Sequence, residues 1–389
     1  MNKKFIAVAV VGAVVAPAVA FAQAGNVQIY GRANLGLDNY SATGSTAGAA
    51  GDLKSRNRIY DVGSRLGFRG AEDLGNGLKA VFLMESGVNV DSGGTTGQGG
   101  AVNVHTGTLS SRMGYVGLDG RWGSLRFGKQ NVFWINGWIE PIGSTYVYTA
   151  VPSFTGGLGR GMSVGVNRVS NTMQYNSPKV GGINATVSYS PTGEAQPAAA
   201  NTDGKLWGVS LLGTWGAFGA RYDWVKNRAN SPTIGSQAAT TGQKVGVGWA
   251  YQPGARISLL WLKSVKENMG ATTADAAATR LSQTAWGLSW EHLLGNVQAL
   301  AQWGKTANVS GCVTAGACND TNATAWQLGV RYVMSKRTAA YLTYNTVKNN
   351  SRYNMDYIAG GVTSAGSGLG VGSVGADPRI VGVGIMHNF

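Results

Sequence analysis

Apolar and polar residues alternate with a period of two over Val27 to Asp38. Val27, Ile29, Ala33, Leu35 and Leu37, with Gly31 among them, fall on one face, and Gln28, Tyr30, Arg32, Asn34 and Asp38 fall on the other. This is the pattern of a β-strand with unlike faces, and it suits a wall between lipid and water. A soluble sandwich alternates too, but it turns its apolar face into a core. Stretches of about ten residues repeat the pattern. In Gln298 to Lys305, Ala299, Ala301 and Trp303 oppose Gln298 and Gln302, with Leu300 mixed among them. In Thr338 to Lys348 the alternation persists but both faces are mixed, so the direction stays open. In Val381 to Phe389, residues 381, 383, 385, 387 and 389 share a face and the strand runs to the last residue. A terminal strand without a tail predicts a barrel whose last strand closes on its first, because an open edge invites aggregation.

Connections between the strands alternate in length. Short ones include Asp73–Gly77, Asp119–Trp122, Gln252–Ala255 and Leu294–Asn296, where Gly and Asn supply turn conformations. Long ones span 39–57, 87–110, 130–160, 191–204, 227–243, 265–279, 306–322 and 349–377. Eight long loops alternating with short turns predict sixteen strands, with the turns on the periplasmic side and the loops outside. Trp207, Trp215, Trp224, Trp249, Trp286, Trp290, Trp326 and Tyr332 recur near strand ends, as aromatic girdles at two membrane interfaces would place them. The segment 359–376 is rich in Gly, Ser, Ala and Val and reads as a flexible loop.

Composition supports this reading. Gly accounts for 60 of 389 residues, charged residues for only 13%, and Pro for 9 residues, while Trp, Tyr and Phe number 12, 15 and 9. Collagen and disordered chains are excluded, and helical proteins are disfavoured. The net charge of +14 makes any cavity more attractive to anions than to cations. Residues 1–22 read as a secretory signal: Lys3 and Lys4, an apolar run from Phe5 to Val15, then Ala20-Phe21-Ala22 before Gln23. That leaves residues 23–389 as the mature barrel and disfavours cytosolic enzymes and nucleic-acid binders. Cys312 and Cys318 lie six apart in a polar segment; in an oxidising compartment they are candidates for a small disulfide loop, and two thiols without a nearby His are a poor metal site.

The mature chain resembles the general porins of the Gram-negative outer membrane, of beta-proteobacterial type. The resemblance rests on Asn26–Arg32, on Ser64–Ala80 with its Arg69-Gly70-Ala71-Glu72-Asp73-Leu74-Gly75-Asn76-Gly77 run, on Tyr115–Leu118, on Ser335–Thr338 and on the terminal Phe389, which stands for the assembly signal. His387 departs from the aromatic residue that such signals often carry. The resemblance implies an all-β, 16-stranded antiparallel transmembrane barrel, a homotrimer, with an inward-folded third long loop at about 130–160. It also implies a basic pore wall, carried over as Arg32, Arg65, Arg112 and Arg168; Arg69 shares a face with Arg65 and extends the row. Related cation-preferring channels carry acids on the loop. Here Ser153 and Thr149 stand at those places, and Glu140 is the only acid from 130 to 160. The expectation is an outer-membrane channel for passive diffusion of small hydrophilic solutes, selective for anions. Its partners are expected to be outer-membrane lipid and lipopolysaccharide, with no cofactor and no nucleic acid. In the competing bracing role these arginines pair with Glu72, Glu85 or Glu140. A barrel adhesin or receptor, and an outer-membrane hydrolase, are the alternatives; His105, His292 and His387 are placed too far apart for a ready catalytic cluster, and no nucleophile elbow or P-loop is present.

Overall fold

A computed structural model describes residues 27–61, 63–88, 90–91, 109–133, 158, 162–164, 168–191, 204–228, 238–268, 274–356 and 374–389. Seventeen antiparallel strand segments form one sheet. They are β1 (Gln28–Thr43), β2 (Leu53–Asp61), β3 (Arg65–Gly75), β4 (Leu78–Gly87), β5 (Met113–Gly120), β6 (Gly123–Asn131), β7 (Arg168–Asn176), β8 (Ile183–Ser190) and β9 (Lys205–Trp215). The remainder are β10 (Phe218–Arg228), β11 (Ala239–Gln252), β12 (Ala255–Glu267), β13 (Arg280–Leu294), β14 (Val297–Thr306), β15 (Ala323–Val333), β16 (Thr338–Asn349) and β17 (Asp377–Asn388). β2 pairs with the upper half of β1 and β3 with its lower half, so these two segments are one stave broken between Asp61 and Arg65. The barrel therefore has sixteen staves, each hydrogen-bonded to the next in sequence.

Closure is made by β1 and β17 over twelve registered pairs, from Arg32↔Asn388 to Thr43↔Asp377. Gly31 and Phe389 extend the ladder by exchanging backbone hydrogen bonds of 3.0 and 3.1 Å. A Cβ at Gly31 would lie 2.3 Å from the Phe389 ring, so only glycine lets the terminal aromatic lie there.

The wall is inside-out relative to a soluble protein. Outward positions such as Ile29, Leu37, Ile59, Val116, Val247, Leu259, Leu342, Val383 and Ile385 are exposed, while inward Asn34, Asp38, Ser210, Ser258, Gln283, Gln302, Gln327 and Asn345 are buried. Such a continuous exposed apolar band is stable only against lipid. Aromatic residues edge it. Trp215, Phe218, Trp249, Tyr251 and Trp290 lie beside the short turns, with Phe218 stacked on Trp249 at 6.0 Å. Trp207 packs on Tyr189 at 4.6 Å at the other edge. Trp207 and Trp215 are eight residues apart, roughly 27 Å along the strand and about 20 Å along the membrane normal after strand tilt.

Two expected loops are shorter than their polar sequence implied. β1 continues to Thr43 and β2 begins at Leu53, leaving 44–52 as the loop rather than 39–57. Asn39 and Asn57 remain register partners and bond through their side chains at 2.8 Å. β11 likewise begins at Ala239, where β-branched Thr240 and Thr241 favour a strand. The segment 359–376 lies outside the described residues except for its last three.

Candidate pore constriction

The inner wall over β1, β3, β4 and β5 carries a cluster built around one carboxylate. Glu85 alternates with Leu83 and Val81 on the lumenal face of β4. Arg112 Nε donates to Glu85 Oε1 at 2.8 Å, Arg65 Nε lies 3.7 Å from Oε2, and the Tyr30 hydroxyl donates to Oε2 at 3.2 Å. Arg112 is brought there by the chain returning from the second long loop. Ser110 N–H donates to Ser86 Oγ, Gly87 N–H donates to Ser111 Oγ, and Arg112 N–H donates to the Glu85 carbonyl. Gly67 is equally specific: a Cβ there would lie 2.4 Å from the Tyr30 ring, which must cross it to reach Glu85.

Arg168, the first residue of β7, stands in electrostatic range of Arg112, Glu85 and Arg65. Lys129, re-aimed by a register shift in β6, donates to the Ser111 carbonyl at 2.7 Å. Arg32 donates to Asn388 Oδ1 at 3.0 Å, and Arg69 donates to Gln28 Oε1 at 3.0 Å with its guanidinium 5.2 Å from the Tyr30 ring centre. The structure thus brings Arg65, Arg112 and Arg168 together, with Arg32 and Arg69 on flanking positions of the same wall. Arg112 and Arg65 pair with Glu85 and Arg168 stands within electrostatic range of all three, so among the described residues of this cluster cations outnumber acids. The wall does carry an opposing acid: it is Glu85, supplied by the wall itself. Glu140, Thr149 and Ser153 lie outside the described residues.

The two ends of the third long loop turn into the barrel and lodge on the far wall. Val132 abuts Gly208 on β9, and Phe133 and Val164 abut Gly242 on β11. Ser264 on β12 donates to the Met162 carbonyl at 2.6 Å. Beneath Phe133 lies a second charged group that sequence reasoning missed. Lys244 is fully buried with its ammonium 4.6 Å from the Phe133 ring centre, and Asp223 receives Arg221 Nε at 2.6 Å, Lys244 Nζ at 3.5 Å and the Ser210 hydroxyl. The alternation of β10 and β11 puts Arg221, Asp223 and Lys244 on the inner face, which is the signal that could have located them.

The remaining candidates fall away from the constriction. Cys312 and Cys318 are disulfide-bonded, with Cα atoms 5.8 Å apart, in the loop between β14 and β15. His292 and His387 both sit at the short-turn end of the wall on its outer face, on β13 and β17, bonded to Tyr251 and Gln252 and to Thr338 respectively. His105 lies outside the described residues.

A closed barrel, apolar outside and charged within, with both ends of a long loop turned into its lumen, defines a pore-forming outer-membrane protein. The family model for Gram-negative porins matches residues 7–352. Among curated relatives, the major outer membrane protein P.IB of Neisseria lactamica is 25% identical over 326 residues, covering 82% of this chain and 87% of that one. The P.IB protein of Neisseria gonorrhoeae is 32% identical over 168 residues, and that match spans less than half the relative's length, 43% of each chain. The fold superposes on the anion-selective porin from Comamonas acidovorans with a TM-score of 0.67 at 21% identity, covering 94% of this chain and all of that one. It superposes on the trimer form of OmpT of Vibrio cholerae with a TM-score of 0.59 at 12% identity, again over 94% of this chain and all of the other. The chain belongs to the Gram-negative porin family.

Proposed function

We infer that the barrel is a passive diffusion channel of the outer membrane that selects small hydrophilic anions and carries out no chemistry. The observation that supports this is the excess of guanidinium over carboxylate around Glu85. Arginine stays charged at any working pH, and a narrow pore lined with fixed cations draws anions and repels cations. The screening length of about 8 Å at physiological salt is comparable to a constriction, so the field reaches across it. Glu85 offsets part of the repulsion within the cluster and orients Arg112 without cancelling the charge. One structural neighbour is titled an anion-selective porin, in keeping with this sign.

The reversal potential of the purified protein in a planar bilayer under a KCl gradient tests the reading. An anion-signed potential is expected. Arg65→Glu, Arg112→Glu and Ser153→Glu should each move it toward cations. A cation-signed potential in the unmodified channel overturns the selectivity.

The same reading includes export through cleavage of residues 1–22, a homotrimer, and lipopolysaccharide as a surrounding lipid. The outer face around Leu35, Gly36, Leu37, Ile59, Val383 and Ile385 is a shallow apolar surface of the kind a second copy covers. Outward Lys226 and Lys305 are register partners of Trp207 and Trp286, and Lys263 faces outward on the intervening β12. Cations at the level of the outer aromatic ring favour phosphorylated lipid headgroups.

A further inference from the structure

The lumenal wall just periplasmic of the guanidinium cluster has a different chemistry. Descending β4 from Glu85, the inward positions are Leu83, Val81 and Lys79, and the neighbouring inward position on β5 is Tyr115. Leu83, Val81 and Tyr115 floor an open depression of about 440 Å³. On the far wall, inward apolar residues such as Leu206, Val225 and Leu262 are buried in the cluster that the loop ends complete. Val81, Leu83 and Tyr115 are instead only partly covered and face the water-filled lumen.

Charge surrounds this floor. Arg69, Lys79 and Arg126 line the depression together with Asp73 and Asp119. Arg126 holds its guanidinium 4.8 Å from the Tyr115 ring centre and lies 3.5 Å from Asp119. The cations outnumber the acids by one. An inorganic anion gains nothing from the apolar floor, and a neutral aromatic gains from the cations only a weak contact with its ring face. A carboxylate carrying a compact apolar body gains from both: its charge meets Arg69 or Arg126 while its body covers Leu83, Val81 and Tyr115.

We propose that this depression is a binding site for monocarboxylates with an aromatic or other compact apolar body, holding them on the periplasmic side of the constriction. The proposal rests on the anion-selective reading above and narrows it to a class of solute. Retention is brief by design of the surface, since the floor is open on its lumenal side and covers only one face of the solute.

Single-channel recording separates the two ideas. Chloride current is measured in KCl with sodium benzoate, sodium acetate or benzamide added in turn. Benzoate is expected to reduce the current saturably, at concentrations where acetate and benzamide leave it within about a tenth of its starting value. Leu83→Asn, which exchanges apolar floor for an amide with the same number of side-chain heavy atoms, should raise the half-blocking concentration about fivefold. Arg126→Gln should raise it as well, which keeps the test available if either variant fails to assemble. An anion-selective channel in which benzoate acts like acetate, or in which benzamide blocks equally, overturns the binding site and leaves the selectivity standing. A cation-signed reversal potential overturns both. Unchanged benzoate block in both variants would place the site elsewhere and overturn the assignment.

Discussion

The two charged groups of the lumen use the same residue types to opposite ends. Around Glu85, Arg112 and Arg65 keep 18% and 26% of their side chains exposed, and positive charge exceeds negative. Around Asp223, Lys244 and its acid are 0% and 1% exposed, and the group lies beneath Phe133, at the start of the third long loop. The first group keeps part of each guanidinium open to the lumen, so its charge can act on passing ions. The second has protein on every side, so its charges fix the position of a loop end. Exposure and the balance of partners, more than residue identity, decide which of the two roles an inward cation takes.

The comparison breaks most sharply at its two carboxylates. Asp223→Ala removes the carboxylate that Arg221 and the fully buried Lys244 share, a change that costs on the order of 3–5 kcal/mol. Glu85→Ala removes a largely buried acid but leaves cations that solvent can still reach, and about 1–3 kcal/mol is expected. The order reverses for transport. Removing Glu85 strips the cluster of the only acid among its described residues and should raise the chloride-to-potassium permeability ratio, whereas removing Asp223 should alter stability far more than ionic sign. Urea unfolding in lipid vesicles and reversal potentials on the same two variants check both orders. Equal destabilisation by the two would mean that the Asp223 group is as hydrated as the other.

Much of this arrangement was legible in the chain before its coordinates. Period-two alternation placed Arg32, Arg65, Arg69 and Glu85 on inward faces, because a one-residue change of register would turn every side chain outward. The alternation of turns and loops led to sixteen staves for the same local reason. The seating of the loop ends was not legible. That Phe133 settles over Lys244 and Gly242 depends on where the loop returns to the wall, and no local pattern specifies that; Glu85 as a partner of the wall arginines was one of the alternatives the chain left open, and Arg112 and Arg65 both meet it. The polar stretches at 39–43, 53–57 and 239–243 were misread as loops because strand ends that rise beyond the apolar band lose the alternation while keeping their backbone ladder.

Gly242 offers a finer test of the anchoring group. A Cβ at this position would lie 2.7 Å from Val164 Cγ1 and 3.1 Å from Phe133 Cζ, all side-chain atoms of the loop ends. Gly242→Val therefore crowds the seat of the loop without touching the guanidinium cluster, at a cost of about 1–3 kcal/mol. A changed single-channel conductance with the anion sign retained is the expected result. If conductance and sign are both unaltered, the seat does not set the width of the pore.

The smallest effect lies outside the lumen, where a carboxylate again organises a loop but with backbone donors in place of cations. Asp275, between β12 and β13, accepts hydrogen bonds from Val313 N–H and Thr314 N–H at 2.8 Å, from the Thr314 hydroxyl at 3.0 Å and from Ala277 N–H at 3.1 Å. The disulfide loop begins beside these donors at Cys312, so Asp275 ties one outer loop to the next. The donors favour the charged form and hold its carboxyl below the ordinary range, the Thr314 backbone contributing most. A carboxyl lowered in the folded state contributes stability above the unfolded value of about 4, and that contribution is lost as pH falls through the folded value. Hydrogen exchange at Val313 and Thr314, corrected for the intrinsic rate, should therefore lose protection a few-fold between pH 6 and pH 3. Asp275→Asn should show the weakened protection already at pH 6, with little further dependence on pH, because no proton remains to bind. Protection that stays level across this range in the unmodified protein would show that the disulfide, rather than the carboxylate, holds the two loops together.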